Sequence, residues 1–152
     1  MSKKSTTYNL AYRISQIHTL KFSFKDLETG RIDQLFDSPN ALSINSNTSL
    51  IIDKEKSTIT IDINTQLIDT KKEDTLVEHT GRTIYIVNGL GSVYNKEKDK
   101  FDLPDELIVQ LFGIAYTHSR ALLATEISPT IYKGKYMLPV IDPRMFLKNI
   151  EK

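Results

Sequence analysis

Residues 58–69 read TITIDINTQLID, and Ile59, Ile61 and Ile63 alternate there with Thr58, Thr60, Asp62 and Asn64. A period of two places the isoleucines on one side of an extended strand and the polar set on the other. That is the pattern of an antiparallel sheet covered on one face. HTLKFSFK, residues 18–25, repeats it in a strand that begins near Tyr12: Leu20, Phe22 and Phe24 fall on one face, and Thr19, Lys21 and Ser23 on the other. The following piece carries Gly30 and Ser38-Pro39 and reads as a loop with a short turn around Ile32 to Phe36. A second strand is expected from about Ala41 to Asp53, closed by the solvated turn Lys54-Glu55-Lys56. Lys71 to Gly81 reads as a charged connection. Arg82 to Tyr94 reads as a fourth strand, with Ile84 and Ile86 on one face and Tyr85 and Val87 on the other. Asn88-Gly89-Leu90-Gly91 interrupts that strand as a bulge or bend.

The pattern changes after KEKDK. Asp102 is a suitable helix N-cap, Pro104 fits a first turn, and Asp105 and Glu106 complement the helix dipole. A helix is expected from about Pro104 to Glu126. Its apolar positions cover a wider surface than one core-facing stripe, which predicts burial on two sides. A four-stranded sheet supplies one side, so a second copy of the chain is the expected partner for the other. SPTIYKGKYMLPVIDPRMFL, residues 128–147, follows. It is too apolar for a plain linker and too rich in proline for a helix or central strand, so it reads as an extended crossover. Asp142 to Lys152 then forms a short helix, capped by Asp142, with Pro143 in its first position and Met145, Phe146 and Ile150 on its apolar side. Strands followed by helices predict an α+β fold: a four-stranded antiparallel sheet with a long helix and a short C-terminal helix on one face. Residues 1–10 are expected to be flexible, and residues 11–152 to form a single domain.

Composition narrows the possible functions. The chain has 152 residues, 39% of them hydrophobic and 26% charged, and a net charge of +1, so no strong field points to nucleic acid or to an anionic membrane. It has no cysteine, which removes disulfides, thiolate metal sites and a cysteine nucleophile. The N-terminus lacks an apolar signal core, and no run of about 20 apolar residues predicts membrane insertion, so a cytoplasmic location is expected.

The chemistry-bearing residues do not converge. His18, His79 and His118 lie on different elements without metal-ligand spacing. His118, inside an apolar helix, is more simply a packing residue, and His79 falls in the polar connection. Asn88-Gly89-Leu90-Gly91-Ser92 lacks the helix a phosphate loop needs directly after it. Glu55, Glu73, Asp74 and Glu78 cluster at turns, where carboxylates are normally just solvated. No catalytic, metal or cofactor site is expected. The aromatic and methionine surface of the crossover suits apolar recognition instead, although composition alone favours placing those side chains in the core.

The helix sequence IAYTHSRALL (114–123), the crossover MLPVID (137–142) followed by Met145-Phe146-Leu147, and the first strand ISQIHTLKFSF (14–24) resemble the bacterial protein-export chaperone family SecB. The likeness spans about Tyr12 to Leu147 in element order and is specific in the first strand and in Ala115 to Phe146. It implies an ATP-independent, non-enzymatic holding chaperone that binds unfolded or nascent polypeptides, serving protein transport or toxin–antitoxin control. It also implies a homo-oligomer, a dimer or a homotetrameric dimer of dimers, with the long helices packed at its centre. The peptide-binding walls implied by position are Tyr132, Tyr136, Met137, Leu138, Val140 and Phe146, with Leu50 and Ile52 as weaker members. Ile108, Phe112, Ala115, Tyr116, Ser119 and Leu123 are the implied oligomer interface. Lys21 and Lys25 stand where the family recruits the motor SecA through acidic residues, and the acidic tail is missing, so that partnership is expected to be lost. An adaptor that binds one folded partner through the same apolar surface is the alternative.

Overall fold

The computed structural model describes residues 9–150, with side chains through Lys148. The expected flexibility of residues 1–8 and the apolar role of Ile150 lie outside the described residues. Strand β1 (Ala11–Phe24) is followed by helix α1 (Thr29–Asp37), then by β2 (Leu42–Asp53), β3 (Thr58–Asp69) and β4 (Asp74–Asn88). A 3-10 turn (Leu90–Val93) leads to a two-residue hairpin, β5 (Tyr94–Asn95) and β6 (Lys100–Phe101). Helix α2 (Asp105–Ile127), an extended crossover, a 3-10 turn (Pro143–Phe146) and the short α3 (Leu147–Ile150) complete the chain. The large sheet is antiparallel throughout, in the order β1-β4-β3-β2. The α+β architecture read from the sequence is therefore the architecture found.

β3 sits centrally because its alternation is the most complete. Ile59, Ile61 and Ile63 are fully buried and Leu67 nearly so, all under the helices. Tyr85 and Val87 of β4 join that face, and Tyr85 Oη donates to Leu111 O at 2.7 Å, tying α2 to the sheet. The opposite face is mainly polar, with Ile84 and Ile86 half-buried and Ile51 exposed on it. There Arg82 makes two 2.8 Å bonds to Asp62, which favours the charged form of Arg82.

Four local expectations are corrected. β4 begins at Asp74, so residues 74–81 are strand and not a connection. Gly81 in its middle is not a terminator. A Cβ there would stand 3.3 Å from Ser119 Cα and closer still to the Ser119 hydroxyl, so only glycine lets α2 approach so closely. In β1 the face assignment changes at a register shift between Thr19 and Lys21. Thr19 pairs with Gly81 and joins Phe22 and Phe24 on the helix side, while Lys21 points outward. At α2, Pro104 and not Asp102 is the N-cap, without a side-chain cap bond. The turn expected around Ile32 to Phe36 is a helix of nine residues, α1. At the C-terminal turn Asp142 does cap, accepting from Arg144 N at 3.0 Å, with Pro143 first.

α2 has the length and mean hydropathy of a membrane span, but it packs as a core helix. Its sheet side buries Leu111, Ala115 and Ser119, and its other side buries Phe112 and Tyr116 under Phe146, whose ring stacks on Phe112 at 5.0 Å. The crossover and C-terminal turn of the same chain thus cover the second apolar side that the sequence reading gave to a second copy.

His79, expected in solvent, is fully buried, with Nε2 3.0 Å from Thr19 Oγ1 and no partner at Nδ1. Burial pulls its pKa down to about 4. The unfolded chain then binds more protons than the folded one below pH ~6.5, so this contribution to stability is whole above that pH and lost as pH falls toward 4. Urea unfolding of the wild type against His79→Gln is expected to show a wild-type-specific loss on the order of 2–3 kcal/mol across that window; parallel curves would mean that His79 is not buried neutral. At the helix contact, Gly81→Ala is expected to cost roughly 1–3 kcal/mol in unfolding free energy. Adding Ser119→Ala should recover part of that loss, and no recovery would place the clash elsewhere.

Candidate functional site

The crossover is where this chain exposes apolar side chains beside a cavity. Extended backbone alternates its side chains, and from Tyr136 to Leu138 the result is visible: Tyr136 and Leu138 are buried and Met137 is 70% exposed; past Pro139 the alternation stops, and Val140 is 81% exposed. Pro139 keeps Leu138 extended. Two α2 side chains fix the segment through its backbone, Arg120 Nε donating to Leu138 O at 3.1 Å and Tyr116 Oη donating to Pro139 O at 2.6 Å. At the start of the segment, Tyr132 Oη donates to Lys25 O at 2.7 Å and ties it to the end of β1.

Held in this way, the crossover is a rail between two troughs. On the α2 side lie cavities of about 290 Å³, beside Thr117, Ala121 and Met137, and about 220 Å³, beside Gly113, Val140 and Pro143. On the other side runs the sheet edge. A cavity of about 440 Å³ lies between Ile44, Ser46 and Thr48 of β2 and Pro139, Ile141, Met145 and Phe146. Ile44 also lines the next, about 270 Å³, with Leu42 and Asn40 on one wall and Lys135 and Met137 on the other. Asn40 and Ser38 continue into a third, about 440 Å³, bounded by Arg31, Asp69, Lys71 and Lys72.

β2 is an edge strand paired only with β3. Among the described residues no backbone hydrogen bond joins the crossover to it. Its outer N–H and C=O groups are therefore open to an added strand. Ile44, Ser46 and Thr48 project to the helix side, opposite Leu67, Thr65 and Ile63, and so face the trough.

The electrostatics differ along the trough. At the Met145 end the walls are mainly apolar. At the far end Asp69 is buried. Burial opposes its ionisation, but the backbone N–H groups of Lys72 and Lys71 and the Arg31 guanidinium, 2.9 Å away, outweigh this and hold the carboxyl below its usual range. Lys135 pairs with Asp33 on the rim. Beneath the crossover, Tyr136 Oη and Thr65 Oγ1 are buried without partners, and burial pushes the Tyr136 phenol up to about 12. Among the described residues no group of three or more His, Cys, Asp or Glu side chains could hold a metal ion.

The structure sorts the residues singled out from the sequence. Met137 and Val140 are exposed on the rail. Tyr136, Leu138 and Phe146 are buried and form floor, not wall. Tyr132 is fully buried away from both troughs, so it is corrected to a core anchor. Leu50 and Ile52 share the trough-facing side of β2 but pack half-buried against the core toward the β2–β3 turn. Ile108, Phe112, Ala115, Tyr116, Ser119 and Leu123 are all buried inside the single chain. They are corrected to core, since a side chain already covered by its own chain presents nothing to another.

Sequence reading missed Ile44, which is 41% exposed, and named Met145, 58% exposed, only as apolar surface of the terminal helix and not as a wall residue. Their signal was an apolar residue on the solvent-ward part of an edge strand and of a capped turn. It also missed how exposed β1 is: Ile14, Ile17 and Phe24 on the helix side and Leu20 at the register shift are each between 41% and 48% exposed. Lys21 and Lys25 are not bare cations, since Lys21 pairs with Glu78 and Lys25 with Asp74 at 2.8 Å.

No protein-family model and no curated protein matches the chain. Among solved structures, the fold is similar to that of the SecB-like chaperone Rv1957 of Mycobacterium tuberculosis, solved in complex with a ChAD peptide from the antitoxin HigA1. The TM-score is 0.54 at 10% identity, over 86% of this chain and 87% of that one. A protein of unknown function from Streptococcus agalactiae aligns at a TM-score of 0.38 and 11% identity, over 86% of this chain and 98% of that one. The chain has a SecB-like fold.

Proposed function

We propose that this protein is an ATP-independent, non-enzymatic holding chaperone that keeps unfolded or nascent polypeptides in the troughs flanking the crossover. The observation that carries this reading is the open β2 edge beside a rail that combines buried anchors, Tyr136 and Leu138, with exposed Met137 and Val140. An extended client hydrogen-bonds to the edge, while its apolar side chains meet adaptable methionine and aliphatic surface. The M. tuberculosis neighbour, which holds an antitoxin peptide, supports a polypeptide as the ligand class. Cytoplasmic work and a part in protein transport or toxin–antitoxin control belong to the same proposal.

Self-association is assigned to β1. With Phe112 and Tyr116 of α2 covered from within the chain, the edge strand β1 offers exposed apolar side chains among the described residues: Ile14, Ile17 and Phe24 on the helix side and Leu20 at the register shift. A homo-oligomer joined there would leave both troughs free.

The triple variant Met137→Asp, Val140→Asp, Met145→Asp is expected to weaken binding of unrelated unfolded test chains by about tenfold or more. Its circular dichroism should be unchanged, because all three side chains are exposed. Undiminished binding would remove the trough from the mechanism, and binding to one folded partner only would favour an adaptor. In light scattering, Ile14→Asp with Ile17→Asp should reduce the native mass to that of one 17.4 kDa chain; an unchanged oligomer would place the interface elsewhere.

A further inference from the structure

Resting on this trough reading, we propose that the preferred client segment is an apolar stretch followed on its C-terminal side by acidic residues. The cavities on the β2 side adjoin in series, Ile44 lining the first two and Ser38 and Asn40 the last two. The series changes character along its length. Ile44, Ile141 and Met145 line the apolar end, where Lys148 is the one charged side chain among the described residues, and Arg31, Lys71 and Lys72 surround the other. The carboxylate there cannot neutralise all three cations. Asp69 is fully engaged, accepting from Arg31 and from the backbone N–H groups of Lys71 and Lys72. The ammonium groups of Lys71 and Lys72 make no ion pair among the described residues. The far end therefore carries net positive charge facing the cavity and is complementary to an acidic segment, while a basic one is repelled.

Sheet geometry gives the polarity. β2 starts at Leu42, beside the cationic end, and runs away from it past Ile44 and Thr48. Every pairing in this sheet is antiparallel. A segment added to the free edge in the same sense runs the other way and brings its C-terminal end to Lys71 and Lys72. The edge from Leu42 to Thr48 accommodates an apolar stretch of about seven residues before the acidic part.

The test uses three fluorescein-labelled peptides and the full chain, read by fluorescence anisotropy. Each peptide has the same alternating apolar stretch, followed by three aspartates, followed by three lysines, or preceded by three aspartates. The first should bind about tenfold tighter than the other two at low salt, the amount expected from two or three exposed ion pairs, and the difference should shrink as salt rises. Lys71→Glu with Lys72→Glu, both at exposed positions, should reverse the preference between the aspartate and lysine tails without moving the unfolding midpoint. Equal affinity for the acidic and basic tails would overturn the proposal and leave the trough reading standing. Equal affinity for the two aspartate peptides would overturn the antiparallel seating. No binding by any of the three would overturn the trough reading together with the proposal.

Discussion

The structure depends on how closely α2 can come down onto the sheet. Gly81 and Ser119 meet there nearly backbone to backbone, and about two turns earlier along α2 the Tyr85 hydroxyl clamps Leu111 O. With the helix at this height, its opposite side is positioned to hold the crossover through Arg120 and Tyr116. A larger residue at position 81 would lift the helix and move the rail with it. The packing that makes the core and the placement of the recognition surface are therefore one constraint.

That coupling explains why apolar surface is exposed in a protein with an adequate core. A crossover fixed by its carbonyls, through Arg120 and Tyr116, cannot rotate to bury both faces. Leu138 and Tyr136 go inward, so Met137 must go outward. An edge strand with an unpaired backbone beside such a rail is usually an aggregation hazard. Here Lys135 on the rim and the cationic end at Lys71 and Lys72 put charge along the opening, which discourages indiscriminate pairing while leaving room for a segment of suitable charge.

The residues first assigned to binding and to assembly were chosen by sequence position in a resembling family, and burial redistributed them. A large aromatic such as Tyr132 and a small one-sided position such as Ser119 give no sign in sequence of whether their own chain or another covers them. Solvent exposure decides it: side chains of the same apolar type, Leu138 and Val140, stand two residues apart with opposite fates. The bulge after Thr19 had the same effect on β1, since one extra residue exchanges the faces on either side of it.

The sequence by itself determined the antiparallel sheet, through the isoleucine alternation of residues 59–63. It also determined the long helix after Pro104 and the cap at Asp142, because these rest on local periodicity and on side-chain-to-backbone bonds between near neighbours. The start of β4 at Asp74 was illegible because charged residues and Gly81 are turn signals locally, and only a helix lying across the strand makes them strand residues. The trough was illegible for the same reason. It joins Arg31, Ile44, Lys71 and Met145, residues far apart in the chain, and only tertiary packing brings such positions to one edge and leaves that edge open.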